Sequence, residues 1–503
     1  MVSKVKTATV SGIMAQIVEV EADRAQGLPA FDLTGNLGTI AREGRDRVRT
    51  ALKNSDVIMP PARYTINLAP ANLRKEAPHF DLAIAVSILV LLGIVMPDRI
   101  EGVFFAGELG LDGRINPVNA ILPMVCCAKE AGCHTAIIPE KNAAEGSFVE
   151  GIRVLGLNSL SECMSFLNGV LDAERALPRE ELVEKEYPVD FGEVCGQVAI
   201  KRAAVIAAAS MHHLFMIGPP GAGKTMIASR IPTILPELSQ EECMSISKIY
   251  SVAGLLKEDC PFIRTRPFRS PHHICSPVAL SGGGQIPTPG EISLADHGVL
   301  FLDELNLFSP GAIEALRQPI EERSVHVTRL SGAVDYPADF MLVAAMNPCK
   351  CGYYPDRTKC NCTPVEIRRF FGKISGPIMD RFDVCVNVPR ASYDEVSGTG
   401  ESTMDSESMR NEVNRAYRIQ QERYRDEEFH LNSRIPASKI RRYCALTKEA
   451  NRMIETAYKQ YDLSARSYHR ILKVSRTIAD LEGEDKIHEA HISEAICYKM
   501  IGG

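Results

Sequence analysis

Gly218-Pro-Pro-Gly-Ala-Gly-Lys-Thr225 decides the fold class through what stands on either side of it. The apolar run Leu214-Phe-Met-Ile217 precedes it and the helix-like MIASRI follows, so strand, glycine loop and helix come in the order that a phosphate-binding loop requires. Glycines let backbone N–H groups approach phosphate oxygens. Lys224 is placed to neutralise the β and γ oxygens, and the Thr225 hydroxyl is suited to Mg²⁺. Gly218, Pro219, Pro220, Gly221, Ala222, Gly223, Lys224 and Thr225 are therefore read together as the cradle of a nucleoside triphosphate. A chance glycine turn would explain neither flank.

Two further apolar runs end in polar residues suited to the same chemistry. Val299-Leu-Phe-Leu302 leads into Asp303-Glu304, which puts two carboxylates at the carboxyl edge of a parallel sheet, where such sheets bind ligands. Asp303 is expected to help hold Mg²⁺, and Glu304 to orient and polarise the attacking water. Phe340–Met346 ends at Asn347, whose amide could sense the γ-phosphate; the plainer reading is a turn-forming Asn before Pro348.

The composition fits an ordinary α/β chain of several domains: 503 residues, 45% hydrophobic, 24% charged and 6% aromatic. The longest apolar stretch, Leu82–Met96, is too short to span a bilayer, and MVSKVKTATVSG has no apolar core of a secretion signal, so a cytoplasmic location is expected. The 15 cysteines are then reduced, with metal ligation the special use to test. A net charge of −6 argues against a globally basic surface but leaves room for a basic pore.

Residues 1–170 alternate β-like runs (Ala8–Val18, Tyr64–Leu68, Thr135–Ile138) with helical ones (Ile40–Lys53, Leu82–Leu92, Ala120–Ala131), and predict a compact α/β domain. LDAERALPREELVEKEY, at 171–187, is charged and reads as a linker. Residues 188–390 predict a parallel sheet covered by helices, 391–408 a loop rich in Gly, Ser, Thr and acidic residues, and 409–503 a small helical domain.

The order of these motifs, with an Arg and a helical domain after them, resembles the AAA+ superfamily. DFGEVCGQVAIKRAAVIAAA at 190–209, RPFRSPHH at 266–273, SGGG and PTPGEISLADHGVLFLDEL within 281–305, ALRQPIEER at 315–323 and SGPIMDRFDVCVNVP at 375–389 more specifically resemble the magnesium-chelatase-like ATPases, and within them the ComM/YifB family. The resemblance implies a homo-hexamer that uses ATP and Mg²⁺. It also implies an arginine finger at Arg381, reaching a neighbouring subunit's nucleotide, and a second sensor at Arg466. Guanidinium groups stabilise charge on a transferring phosphoryl group; a surface salt bridge is the alternative for each.

Residues 105–118, FAGELGLDGRINPV, with CCAKEAGCHTAIIP at 126–139, resemble the proteolytic domain of Lon proteases, which implies a ribosomal S5 domain 2-like fold for the first domain. That protease needs a Ser nucleophile and a Lys base. The resemblance places His79 and Leu122 at those positions, so an inactive peptidase is expected.

Cys349-Lys-Cys351 and Cys360-Asn-Cys362 are two C-x-C pairs eight residues apart, able to close a structural Zn²⁺ site or to remain a reduced cluster. Arg264, Arg266, Arg269, His272 and His273 could track a phosphate backbone, or form a solvated face or pack at the nucleotide site. By resemblance the leading expectation is a ComM-type branch-migration helicase acting on single-stranded or branched DNA in natural transformation. A protein-remodelling ATPase with a protein partner, a magnesium-chelatase subunit and an ATP-dependent protease are the alternatives.

Overall fold

A computed structural model describes residues 2–178, 187–284, 287–329, 332–390 and 404–499. The expected loop at 391–403 and the linker segment 179–186 lie outside the described residues.

The N-terminal part is built on a seven-stranded mixed sheet in the order Ala30–Thr34, Arg63–Ala69, Met14–Ala25, Ser3–Ser11, Val103–Phe105, Thr135–Pro139 and Arg153–Leu157. The run Ala8–Val18, read as one strand from sequence, is the middle of a hairpin. Ser11 pairs with Met14 across Gly12-Ile13, and Gly12 takes φ +65°, which costs a glycine little. Helix Asp81–Leu91 is buried at every position from Asp81 to Val90, and so lacks the amphipathic spacing that marks a surface helix. The expected linker begins as a strap on this sheet: Ala176 N–H donates to Val154 O at 2.9 Å, and Arg153 reaches Ala173 O at 2.8 Å.

The second sheet is wholly parallel, in the order Phe268–Arg269, Val299–Leu302, Met341–Met346, Leu214–Ile217 and Val384–Asn387. Its central strands are near-continuous Val, Leu, Ile, Phe and Met because both faces are covered. An antiparallel hairpin, Ser324–Arg329 with Gly332–Pro337, stands apart from it. The helical part starts at Ser406, inside the stretch expected to be loop. The Asp405 carboxylate accepts the Ser408 N–H at 2.8 Å and so caps Ser406–Arg423. Helices Lys448–Gln460, Ala465–Glu482 and Glu489–Lys499 follow.

The two parts meet at helix Gln240–Ala253 and the segment after it, and again where the Gly12-Ile13 turn lies against Val334 and Asp335. Ala120 N–H donates to Ser251 O at 3.0 Å and Leu122 N–H to Ser251 Oγ at 3.3 Å. Phe148 and Phe262 stack with centroids 4.4 Å apart, and Leu122, Cys243 and Phe262 share one apolar cluster.

Beside this seam Glu145 is buried. Desolvation raises its carboxyl to about 7, against the opposing pull of Asn142 and Ser251. A carboxyl raised on folding stabilises the protein at low pH, and that contribution is lost as pH climbs from the ordinary carboxylate range to about 7. The contribution is on the order of 3 kcal/mol. Glu145→Gln is expected to remove this pH dependence; measured unfolding free energies of the variant that keep the native slope between these pH values would refute it.

Candidate nucleotide site

The order of the second sheet brings three polar strand ends together. Leu214–Ile217 lies beside Met341–Met346, which lies beside Val299–Leu302, so the phosphate-loop sequence, Asn347 and Asp303-Glu304 emerge at one edge. Helix Lys224–Ile234 starts from that edge with its N-terminal amides toward the loop. Gln197 Nε2 donates to Ala222 O at 3.1 Å and ties the loop to the preceding segment. Motif reading does not single out Gln197, since its role depends on a turn 25 residues away.

Lys224 is buried, and its ammonium donates to Gly218 O at 2.7 Å, Pro219 O at 3.1 Å and Asn347 Oδ1 at 3.1 Å. Burial lowers its pKa, while Asp303 and Glu304 pull the other way. Thr225 Oγ1 donates to Asp303 Oδ2 at 2.7 Å, and the other Asp303 oxygen accepts the Glu304 N–H at 2.9 Å. Glu304 is exposed and takes φ +51°, an unusual backbone conformation for a residue with a side chain. A lysine and an amide are paired at one end of this constellation, a hydroxyl and a carboxylate at its middle could hold a hydrated cation, and an exposed carboxylate stands at the rim.

Arg381 and Arg466 lie elsewhere, together. Arg381 meets Glu321 at 2.8 Å, and Arg466 meets the same carboxylate. Glu321 sits within ALRQPIEER, but nothing in that string identifies it as the partner of two distant arginines. The segment after Arg381 is fastened to the helix after Arg466: Arg470 pairs with Asp383 at 3.5 Å, and Asp383 also meets His212 at 3.2 Å.

The four cysteines converge, with all sulfurs within 4.8 Å of one another; Cys349 is 3.3 Å from Cys351 and 3.7 Å from Cys360. A tetrahedral thiolate site has sulfurs roughly 3.8 Å apart, so this group could hold a metal ion. Burial pushes the Cys349 thiol up, but the Tyr354 N–H and the neighbouring thiols outweigh it and bring it to about 6. The cysteine loop also borders the phosphate loop. A Cβ at Gly352 would lie 2.5 Å from Pro220 Cδ, and Arg390 donates to Pro220 O at 3.1 Å while lying 5.2 Å over the Tyr353 ring.

Two of the arginines in the basic segment at 264–273 are not available to an outside anion. Arg266 is buried, donating to Pro236 O at 2.5 Å and His297 O at 2.7 Å. Arg269 is held by both oxygens of Glu291 at 2.7 Å, and Arg264 lies 5.6 Å over Phe148. Arg266 and Arg269 are thus tied into the fold, a use that none of the three expected roles described, while Arg264 and His272 stay exposed. In the N-terminal part, His79 is buried, bonded to Ala8 O at 2.7 Å, and pushed by desolvation down to about 4; Leu122 is wholly buried.

Family comparison adds to this geometry. Residues 190–396 match the model described as magnesium chelatase, subunit ChlI; residues 20–142 match subunit ChlI of Mg-chelatase, and 403–499 its C-terminal part. Competence protein ComM of Haemophilus influenzae is 39% identical over 97% of this chain and 96% of its own length. This chain belongs to the ComM/YifB family of magnesium-chelatase-like proteins. The YifB protein of Escherichia coli is 38% identical over 99% of this chain and 97% of its own length. Lon protease of Mycolicibacterium smegmatis is 27% identical over 141 residues, 26% of this chain and 18% of its own length. The family is of the AAA+ type, which suggests an ATPase using Mg²⁺. Among the described residues no helix is long and apolar enough to cross a membrane.

Gly218 tests how tightly the site is built. A Cβ there would run into the Val388 carbonyl oxygen, on the strand end that pairs with Ile217. Gly218→Ala is expected to cost about 1–3 kcal/mol of stability in denaturant titration and to weaken nucleotide binding. Unchanged values for both would show that the two strand ends are not locked.

Proposed function

We propose that this chain is an ATPase that works as a homo-hexameric ring on single-stranded or branched DNA, a branch-migration helicase of the ComM type active in transformation or recombination. The observation that carries the catalytic part is the pairing of Lys224 with Asn347 and of Thr225 with Asp303 around one edge, with Glu304 exposed at its rim. Lys224 and the loop amides bind the β and γ phosphates, and Thr225 and Asp303 would hold Mg²⁺, which neutralises charge on the triphosphate. Glu304 orients a water and takes its proton as the water oxygen bonds to the γ phosphorus and the bond to the β-phosphate oxygen breaks. Asn347 follows the γ-phosphate by exchanging its contact with Lys224 for one with phosphate or water. Arg381 and Arg466 serve the nucleotide of the neighbouring subunit, so turnover requires assembly.

DNA as cargo is supported by full-length likeness to a protein named for competence. Protein remodelling and a chelatase-type role are the competing readings. Burial of His79 and Leu122 supports a first domain without peptidase activity, because the His79 ring is enclosed and bonded to Ala8 O, and a leucine offers neither a nucleophile nor a base. We also propose that Cys349, Cys351, Cys360 and Cys362 hold a structural Zn²⁺, since four thiolates favour zinc and leave no open position.

Lys224→Ala is expected to abolish turnover. Glu304→Gln should bind ATP yet hydrolyse it about 100-fold more slowly or worse. Single-stranded or forked DNA should stimulate the native protein, with the effect fading as salt rises. Turnover indifferent to every DNA tested, but raised by a protein, would move the reading to protein remodelling. For the cysteines, elemental analysis is expected to give one zinc per chain, lost in Cys360→Ser; zinc-free native protein of full stability would exclude the metal.

A further inference from the structure

Glu321 stands near the end of the short helix Arg317–Glu322, and two guanidinium groups from distant parts of the chain close on its carboxylate. The three partners differ in their surroundings. The Arg381 side chain is 2% exposed, whereas those of Glu321 and Arg466 are 47% and 43% exposed. Arg381 also donates Nη1 to Pro377 O, and its Nε is buried without a hydrogen-bond partner among the described residues. The nearby Arg317 has its own partner, Glu314, at 2.9 Å, and Arg470 has Asp383. Two guanidinium groups therefore share one carboxylate, leaving a positive charge and an unfilled donor at this edge.

The difference in exposure decides which partner can leave. Arg381 is fixed by burial and by the Asp383–Arg470 pair that follows it in the chain. Glu321 already faces water, so it can turn out and rehydrate at small cost, where withdrawing Arg381 would strand a buried charge. A phosphate oxygen carries more charge than a carboxylate oxygen and accepts the same fork of donors. An anion of that kind arriving from outside would take the place of Glu321 and reach donors that Glu321 leaves unused.

We propose that Glu321 is an internal substitute for phosphate: in a lone subunit it occupies the seat formed by Arg381 and Arg466, and it is displaced when a second copy of the chain presents its bound nucleoside triphosphate at this edge. The proposal rests on the reading of the chain as a ring ATPase with arginines acting across the subunit boundary. It makes Glu321 a positioning residue, whose carboxylate keeps the arginine pair silent until a loaded neighbour competes for it. Hydrolysis is then coupled to nucleotide occupancy next door as well as to contact.

The test uses the full chain in four forms: native, Glu321→Gln, Glu321→Asp and Arg381→Ala. ATP turnover is measured against protein concentration, and assembly by mass photometry with a non-hydrolysable ATP analogue. Glu321→Gln is expected to reach half-maximal turnover and assembly at a protein concentration about fivefold lower or less than the native chain, the scale of a modest coupling between sites. Glu321→Asp, one methylene too short to bridge both guanidinium groups, should fall between them, and decides the matter alone if the Gln variant does not fold. Thresholds equal to or above the native one in the folded variant, with Arg381→Ala inactive, would overturn the substitute role and leave Glu321 a support for Arg381. Full turnover by Arg381→Ala would instead remove the cross-subunit reading on which the proposal stands.

Discussion

A buried ammonium must be surrounded by oxygen, and the requirement of Lys224 organises the nucleotide edge. Two of its acceptors are carbonyls of its own loop, which hold that loop curled around the charge, and the third is Asn347 from the neighbouring strand. That third contact depends on strand order: only because Met341–Met346 lies directly beside Leu214–Ile217 does the Asn347 amide come within reach. The same adjacency sets Asp303 over Thr225, one strand further on. The loop, the strand order and the three polar strand ends are one arrangement with a common cause.

Much of this was legible in the sequence because each element carries a local signal. Strand, glycine loop and helix follow one another directly between Leu214 and Ile234, and short apolar runs such as Val299–Leu302 that end in polar residues suit strands of a sheet covered on both faces. The cysteines were legible for a similar reason, since two C-x-C pairs separated by a turn have few ways to avoid one another. The contacts that escaped are those between distant segments. Glu321 joins Arg381 and Arg466 across 60 and 145 residues, and no periodicity or spacing encodes such a meeting. Local reading also overextended the strand at Ala8–Val18, where a Gly-Ile turn sits inside an otherwise strand-like run, and the loop before Met409, where the cap at Asp405 starts a helix early.

Charge is the property for which sequence was least informative. Arg266 and Arg269 look available in the chain, yet one is buried among backbone carbonyls and the other is matched to Glu291. Counting basic residues therefore overstates what the fold offers to an anion. The arginines near Glu321 show the reverse, since a pair 85 residues apart becomes a single seat once the chain is folded.

The seam between the two sheets places Leu122 in the same apolar cluster as Cys243 and Phe262, with its backbone N–H resting on Ser251. The sequence resemblance to Lon proteases implies a lysine base at that position. An ammonium there would face hydrocarbon from the neighbouring domain and would drive the two bodies apart. On that reading, docking of the two bodies and a lysine base are rival claims on one side chain, and this chain's leucine serves the joint.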